Sequence, residues 1–382
     1  MKLLWINSGC NLRSTKAYEL TNLNPLKFVS SYFFVLRKDK FMLKDRILST
    51  LRFFDLQDYP VTLLELHKFL LADVEQLKRR INTQWELIDD NNNHNDRVGI
   101  DAVAKCLDSE CQNEVEQKNG FYCLKGRSGI IHRRLANYIY GIKRERRIRR
   151  FVGGLRHLPF VRGAALAGSQ AQGVQKPDSD IDLLIIVEPE FLWLARTAVT
   201  AYFQSLGLRR HSKKIADRFC LNHYLVGVKT ITELRNLYTA WEYAKLRPLV
   251  NGGAIAEFQE KNCAWIEEFF PNFQLPPAPS LDPSSRADES ARYGARKRGR
   301  LPPSLKLRRT SRGIADADKT SSLQKYLERM LSGKFGHWLE TKLKNRQLPK
   351  IRREEFILVL DDELSFHPQS KQRELLARFF AG

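Results

Sequence analysis

The residues best placed to do chemistry are two aspartates at the mouth of an apolar run. Asp180 and Asp182 flank Ile181, and the run Leu183–Val187 follows directly. Asp178 lies just upstream, and a Gly168-Ser169 pair precedes it by nine residues. On a strand, alternate side chains leave from one face with Cα atoms roughly 6–7 Å apart. Two carboxylates so placed raise each other's pKa unless a cation lies between them. Hard oxygen donors of this kind suit Mg²⁺, which also takes substrate phosphate oxygens. Ile181 points the other way, so the pair is mounted on a strand anchored in the core. Gly168 is expected to end the preceding strand and to let a phosphate approach closely. Ser169 is expected to cap the next helical turn, whose outward N–H groups attract a phosphate. Metal-binding carboxylates opposite a phosphate cradle are what phosphoryl transfer requires.

The elements that must hold these residues follow from pattern. FVRGAALAGS (160–169) reads as a strand, SDIDLLIIV as a second, and EFLWLARTAVTAYFQSLGL (190–208) as a helix ending near Gly207. DRFCLNHYLV (217–226) reads as a third strand, rich in aromatic and branched residues. The order is β–β–α–β, and the helical crossover makes the last two strands parallel. The fold class expected is α+β, a mixed sheet with helices.

GSQAQGVQKPDSDIDLLI resembles the signature of the nucleotidyltransferase superfamily typified by DNA polymerase β: Gly-Ser, a spacer, then Asp-x-Asp entering a hydrophobic strand. Ala171, Gly173, Ser179 and Leu183 also fit the wider form found in minimal nucleotidyltransferases, and the likeness covers about residues 150–230. It implies a core over 159–230, a divalent metal (Mg²⁺ or Mn²⁺) on Asp180 and Asp182, and a nucleoside triphosphate, ATP first, as substrate. Gly168, Ser169 and Ser179 then fall on the nucleotide, with Lys176, in the loop before the acids, as a candidate for the triphosphate. The family's third carboxylate belongs on the strand after the helix; Asp217 at its start is the first choice and Asn222 the alternative. Arg162, Lys213 and Lys214 are weaker triphosphate candidates. Trp193 and His223 read as core residues.

Around this core, residues 1–41 read as a poorly ordered leader. Residues 42–128 read as three small helices and a hairpin, the outline of a winged helix. Thr62 and Glu65 form a capping box there, and Asn119-Gly120 the hairpin turn. Residues 129–158 form a connecting helix containing IKRERRIRR, either a phosphate-contacting face or a solvated one. A helical extension covers 231–274, a basic Pro/Ser-rich linker 275–320, and a helical C-terminal region 321–382.

The chain has 382 residues, 43% of them hydrophobic, and a net charge of +21, which favours an acidic partner. Six scattered cysteines form no CxxC pair, and Cys106, Cys111 and Cys123 match no zinc spacing, which fits a reducing, cytoplasmic setting. The longest apolar stretch near the start, LKFVSSYFFVL, is too short to span a bilayer, and no membrane partner is expected. The function expected is Mg²⁺-dependent transfer of a nucleoside monophosphate to a hydroxyl, with pyrophosphate released. Nucleic acid is the favoured acceptor and protein the next. The alternative is a nucleic-acid-binding or nucleotide-sensing module with an inactive transferase fold.

Overall fold

The structure is a computed structural model that describes residues 42–82, 86, 97–211, 214–231, 233–275, 321–351, 358–359, 363–365 and 369–381. The chain divides into Met1–Leu43 and Lys44–Gly382, and the elements below belong to the second unit. The leader expected over 1–41 and the linker over 275–320, Leu275 apart, lie outside the described residues.

Helix α1 (42–55), which falls in the second unit from residue 44, leads to β1 (Val61–Thr62) and α2 (Leu63–Lys68). Thr62 caps α2 reciprocally: the Glu65 amide donates to Thr62 Oγ1 at 3.2 Å, and the Thr62 amide to Glu65 Oε2 at 3.1 Å. Then come α3 (Val74–Arg80), α4 (Ile100–Ser109) and the strands β2 (Val115–Lys118) and β3 (Phe121–Leu124). Asn119 and Gly120 turn between these strands with φ of 53° and 77°, the positive pair that a two-residue hairpin needs. β1 joins β3 to complete a three-stranded antiparallel sheet, ordered β1-β3-β2. β1 and α3 are too short to show a period in sequence.

The connecting helix α5 (Gly129–Val152) enters the larger layer through a 3₁₀ turn, Gly153–His157. There follow β4 (Val161–Leu166), α6 (Gly168–Gln172), β5 (Ile181–Val187), α7 (Leu192–Ser205), β6 (Phe219–Val226), α8 (Leu237–Ala244), β7 (Arg247–Val250) and α9 (Gly252–Phe269). Beyond residue 320 come α10 (Ser322–Leu331), α11 (Lys334–Ile351), β8 (Leu358–Val359), β9 (Glu363–Ser365) and α12 (Gln369–Ala381). One mixed sheet results, ordered β7-β4-β5-β6-β9-β8. β4 runs antiparallel to β5, and β5 parallel to β6.

Alternation along β5 decides which side chains meet the core. Ile181, Leu183, Ile185 and Val187 join one cluster with Trp193, Phe203, Phe219 and Tyr224. Asp182 therefore leaves from the opposite face. Helix α7, which covers the core side, has no cap of its own at Phe191. Glu340 of α11 supplies it, accepting the Trp193 and Leu194 amides at 2.7 Å each. A second, aromatic core centres on Trp241, fully buried among Phe54, Tyr59 and Phe69, with Phe270 and Phe273 behind Phe69. It packs α1 and α2 onto α8 and α9.

Two regions expected to be helical also carry strands. The extension after residue 231 contributes β7 to one edge of the sheet, and the C-terminal region contributes β9 and β8 to the other. At two to four residues each, these strands are too short for alternation to be visible in sequence. Among the described residues, no helix is long and apolar enough to cross a membrane.

Candidate active site

Asp180 and Asp182 stand at the entry to β5, and the parallel pairing with β6 puts Cys220 opposite Asp182. One ligand atom each from Asp180, Asp182 and Cys220 lie within 4.8 Å of one another. Gly168 explains how β4 lets this happen. The Ala167 amide donates to the Asp182 carbonyl at 3.0 Å, ending the β4–β5 ladder. Gly168 then turns with φ of +59°. A Cβ there would overlap Asp182 Oδ2 and stand 3.2 Å from Cγ, so the absent side chain is the space the carboxylate occupies. The cap of α6 is Ala167 rather than Ser169, which lies inside the turn as its second residue.

A cation already lies at the mouth. Arg210 Nη1 is 2.7 Å from Asp180 Oδ2 and donates to Cys220 Sγ at 3.1 Å. The Arg210 amide bonds the Phe219 carbonyl at 3.0 Å, so its backbone is tied to the start of β6. Burial, and next the Asp182 charge, push the Cys220 thiol far above its ordinary range and keep it protonated. The donor set is thus two carboxylates and a thiol, converging where one positive nitrogen sits. That arrangement fits a divalent cation, which would take the place of the guanidinium at Asp180.

Behind the mouth, a second arginine builds the turn that presents the acids. Arg144 of α5 is 4% exposed. Its Nη1 donates to Ser179 Oγ at 3.0 Å, its Nη2 to the Ser179 carbonyl, and its Nε pairs with Asp217 Oδ1 at 2.6 Å. Arg147 takes the other oxygen of Asp217 at 3.3 Å. The Asp217 amide bonds the Ser179 carbonyl at 3.2 Å, and its own φ of 58° marks a tight turn. Asp217 thus has both oxygens paired to arginines, while among the described residues Cys220 is the third ligand-bearing group beside Asp180 and Asp182. The side chain of Asn222 lies outside what the structure describes.

Of the other candidates, Ser179 is a turn residue whose hydroxyl donates to the Lys176 carbonyl at 2.8 Å and accepts from Arg144. Lys176 and Lys214 are exposed, and Lys213 lies outside the described residues. Arg162 is paired with Glu188 and with Glu328 of α10, so it serves the α10 contact. Trp193 is buried in the core. His223 is buried beside Glu363 of β9, with Nε2 3.1 Å from Oε1.

Arg210 and Cys220 were not singled out in the sequence, and Arg144 reads there only with the basic residues of IKRERRIRR, as a phosphate-contacting or solvated position, whereas it is buried. Arg144 carried a usable signal: Gly141, Arg144, Ile148 and Val152 recur at helical spacing and form the buried stripe of α5. A lone arginine on an otherwise apolar stripe is a buried charge that must find partners.

Residues 146–235 match the family model of the nucleotidyltransferase domain. This segment, which carries β4, β5, β6 and the Asp pair, is a nucleotidyltransferase domain. No curated protein and no solved structure matches the chain.

Proposed function

We propose that the chain transfers a nucleoside monophosphate from a nucleoside triphosphate to a hydroxyl of an acceptor and releases pyrophosphate. The observation that carries this reading is the convergence of Asp180 and Asp182 on one point beside the side-chain-free Gly168. Asp180 and Asp182 would hold a divalent metal. Once bound, it supplies charge neutralisation on the phosphates and aligns the attacking and leaving oxygens. The backbone around Gly168 and Ser169, with Lys176, faces the triphosphate. Ser179 and Asp217 act through Arg144, as positioning residues that hold the turn carrying the acids.

For the acceptor, nucleic acid is favoured by the net charge of +21 and by Lys143, Arg146, Arg147, Arg149 and Arg150, all exposed on α5. The helices and three-stranded sheet of residues 42–128 read as a winged-helix module that would add to such a surface. A protein acceptor is the next choice. A second reading is favoured by Arg210: a tethered cation on Asp180, with a thiol beside the two carboxylates, suits a fold that binds nucleotide without transferring it.

The test incubates the full chain with each α-labelled nucleoside triphosphate, Mg²⁺ or Mn²⁺, and RNA, DNA or cell extract. Label in an acceptor that disappears in Asp180→Ala/Asp182→Ala supports transfer. Nucleotide binding by the wild type with no label in any acceptor supports the sensing reading. Transfer that survives the double substitution rejects the metal assignment.

A further inference from the structure

We infer that Cys220 is the third metal donor of this site, and that the site therefore selects a thiophilic divalent ion of the Fe²⁺–Zn²⁺ kind over Mg²⁺. The inference rests on the metal-binding reading of Asp180 and Asp182 and concerns which ion they hold. Cys220 is 3% exposed and is carried on β6 directly opposite Asp182, so the sheet itself fixes its sulfur beside the carboxylates. Its sulfur lies within 4.8 Å of a ligand oxygen of each aspartate, a span one ion can bridge. The sulfur and Asp180 Oδ2 already share a single positive partner, Arg210 Nη1, at 3.1 and 2.7 Å. Both groups therefore face the same point, where one cation can be exchanged for another.

The third carboxylate at hand, Asp217, has its oxygens on Arg144 and Arg147. Two carboxylates alone would suit Mg²⁺, which dehydrates reluctantly and bonds sulfur poorly. Adding a sulfur donor moves the preference toward ions of the later transition series. On binding, the S–H bond breaks and its proton passes to solvent. A metal–sulfur bond forms, and Arg210, whose side chain is 42% exposed, gives up its contacts with Asp180 and Cys220.

The experiment titrates the full chain with Cd²⁺ alone and follows the sulfur-to-metal charge-transfer absorption, with Mg²⁺ as competitor and thermal melting as the check on folding. The expected result is one equivalent of Cd²⁺ bound with that absorption. The band is lost in Cys220→Ser, and equimolar Mg²⁺ does not displace the ion. In Cys220→Asp the advantage over Mg²⁺ should shrink by at least about tenfold. Should the serine variant fail to fold, the aspartate variant and Asp180→Asn/Asp182→Asn carry the test, since both must lose the band. Cd²⁺ bound at the aspartates without the band, or a band that survives Cys220→Ser or Cys220→Asp, overturns the role of Cys220 and leaves the carboxylate site standing. No divalent ion bound by the wild type under any condition overturns the parent reading as well.

Discussion

Two half-buried charge clusters, one around Glu65 and one around Asp180, are composed in opposite ways. In the first, the Glu65 carboxylate of the capping box accepts from Tyr59 at 2.6 Å, pairs with Arg134 of α5 at 2.7 Å, and lies 3.3 Å from Lys245. One acid meets two cations. Burial alone would raise its pKa, but Arg134 and Lys245 outweigh burial and bring it to about 2. At the mouth of β5 Asp180 and the Cys220 thiol share the guanidinium of Arg210, with an Asp182 oxygen within 4.8 Å of theirs. A node with surplus positive charge is complete in itself and fastens α2, α5 and α8 together. A node where two carboxylates and a thiol converge can also hold a divalent ion, which separates a binding site from a structural ion pair.

The largest expected effect breaks the mouth and spares the frame. Asp180→Asn/Asp182→Asn should abolish nucleotide transfer, a loss of at least about a thousandfold, since charge stabilisation of the transferring phosphate goes with the metal. The melting temperature should hold or rise, because a like-charge pair has been relieved. Labelled-nucleotide transfer and thermal melting, read on the same preparation, check both halves.

Next in size is Glu65→Gln, expected to do the reverse. Breaking a buried, hydrogen-bonded ion pair should cost about 3 kcal/mol at neutral pH, while activity per folded molecule stays unchanged. The pH dependence has a definite sign. The carboxyl is lowered from 4.5 in the unfolded chain to about 2 in the folded one. Its stabilisation is therefore present above pH 4.5 and lost as the pH falls toward 2. Denaturant unfolding between pH 2 and 7 should show that loss in the wild type and a flatter profile in the variant. Equal slopes would remove Glu65 as the acid-sensitive group.

How much of this was legible in sequence follows from the range of each interaction. The capping box is local: Thr62 and Glu65 are three residues apart, and their bonds form wherever that turn forms. Asp180, Asp182 and Gly168 were legible because a strand's alternation and a turn's need for glycine are also local. Arg210 and Cys220 were not. The reading placed the starts of the two parallel strands level and so chose Asp217, but the β5–β6 register puts Phe219 beside Ile181 and Cys220 beside Asp182. Asp217 then falls before the strand, in the turn that Arg144 holds. Register between strands separated by α7 is set by core packing, which no short window of sequence contains.

Gly168→Ala sharpens the comparison from the backbone side. An alanine at φ of +59° costs roughly 1–2 kcal/mol, a smaller loss than at Glu65. Its Cβ also falls on the Asp182 carboxylate, so metal affinity should drop further than stability does. Calorimetric titration with Mn²⁺ beside a denaturant melt separates the two; a variant that binds the ion normally would show that the carboxylate does not depend on the gap.

The smallest effect should have the opposite sign. Arg210 and an entering ion compete for Asp180, so Arg210→Gln removes the competitor and should tighten Mn²⁺ binding by about tenfold, or 1.4 kcal/mol. The gain is modest because the Arg210 side chain is 42% exposed, and a solvated pair is screened. Without metal the variant should be slightly less stable than the wild type, since Asp180 has lost its ion pair with Arg210. With saturating Mn²⁺ that difference should vanish. Weaker Mn²⁺ binding in Arg210→Gln would make the guanidinium a part of the metal site's support instead of its rival, and the two charge clusters would then work alike.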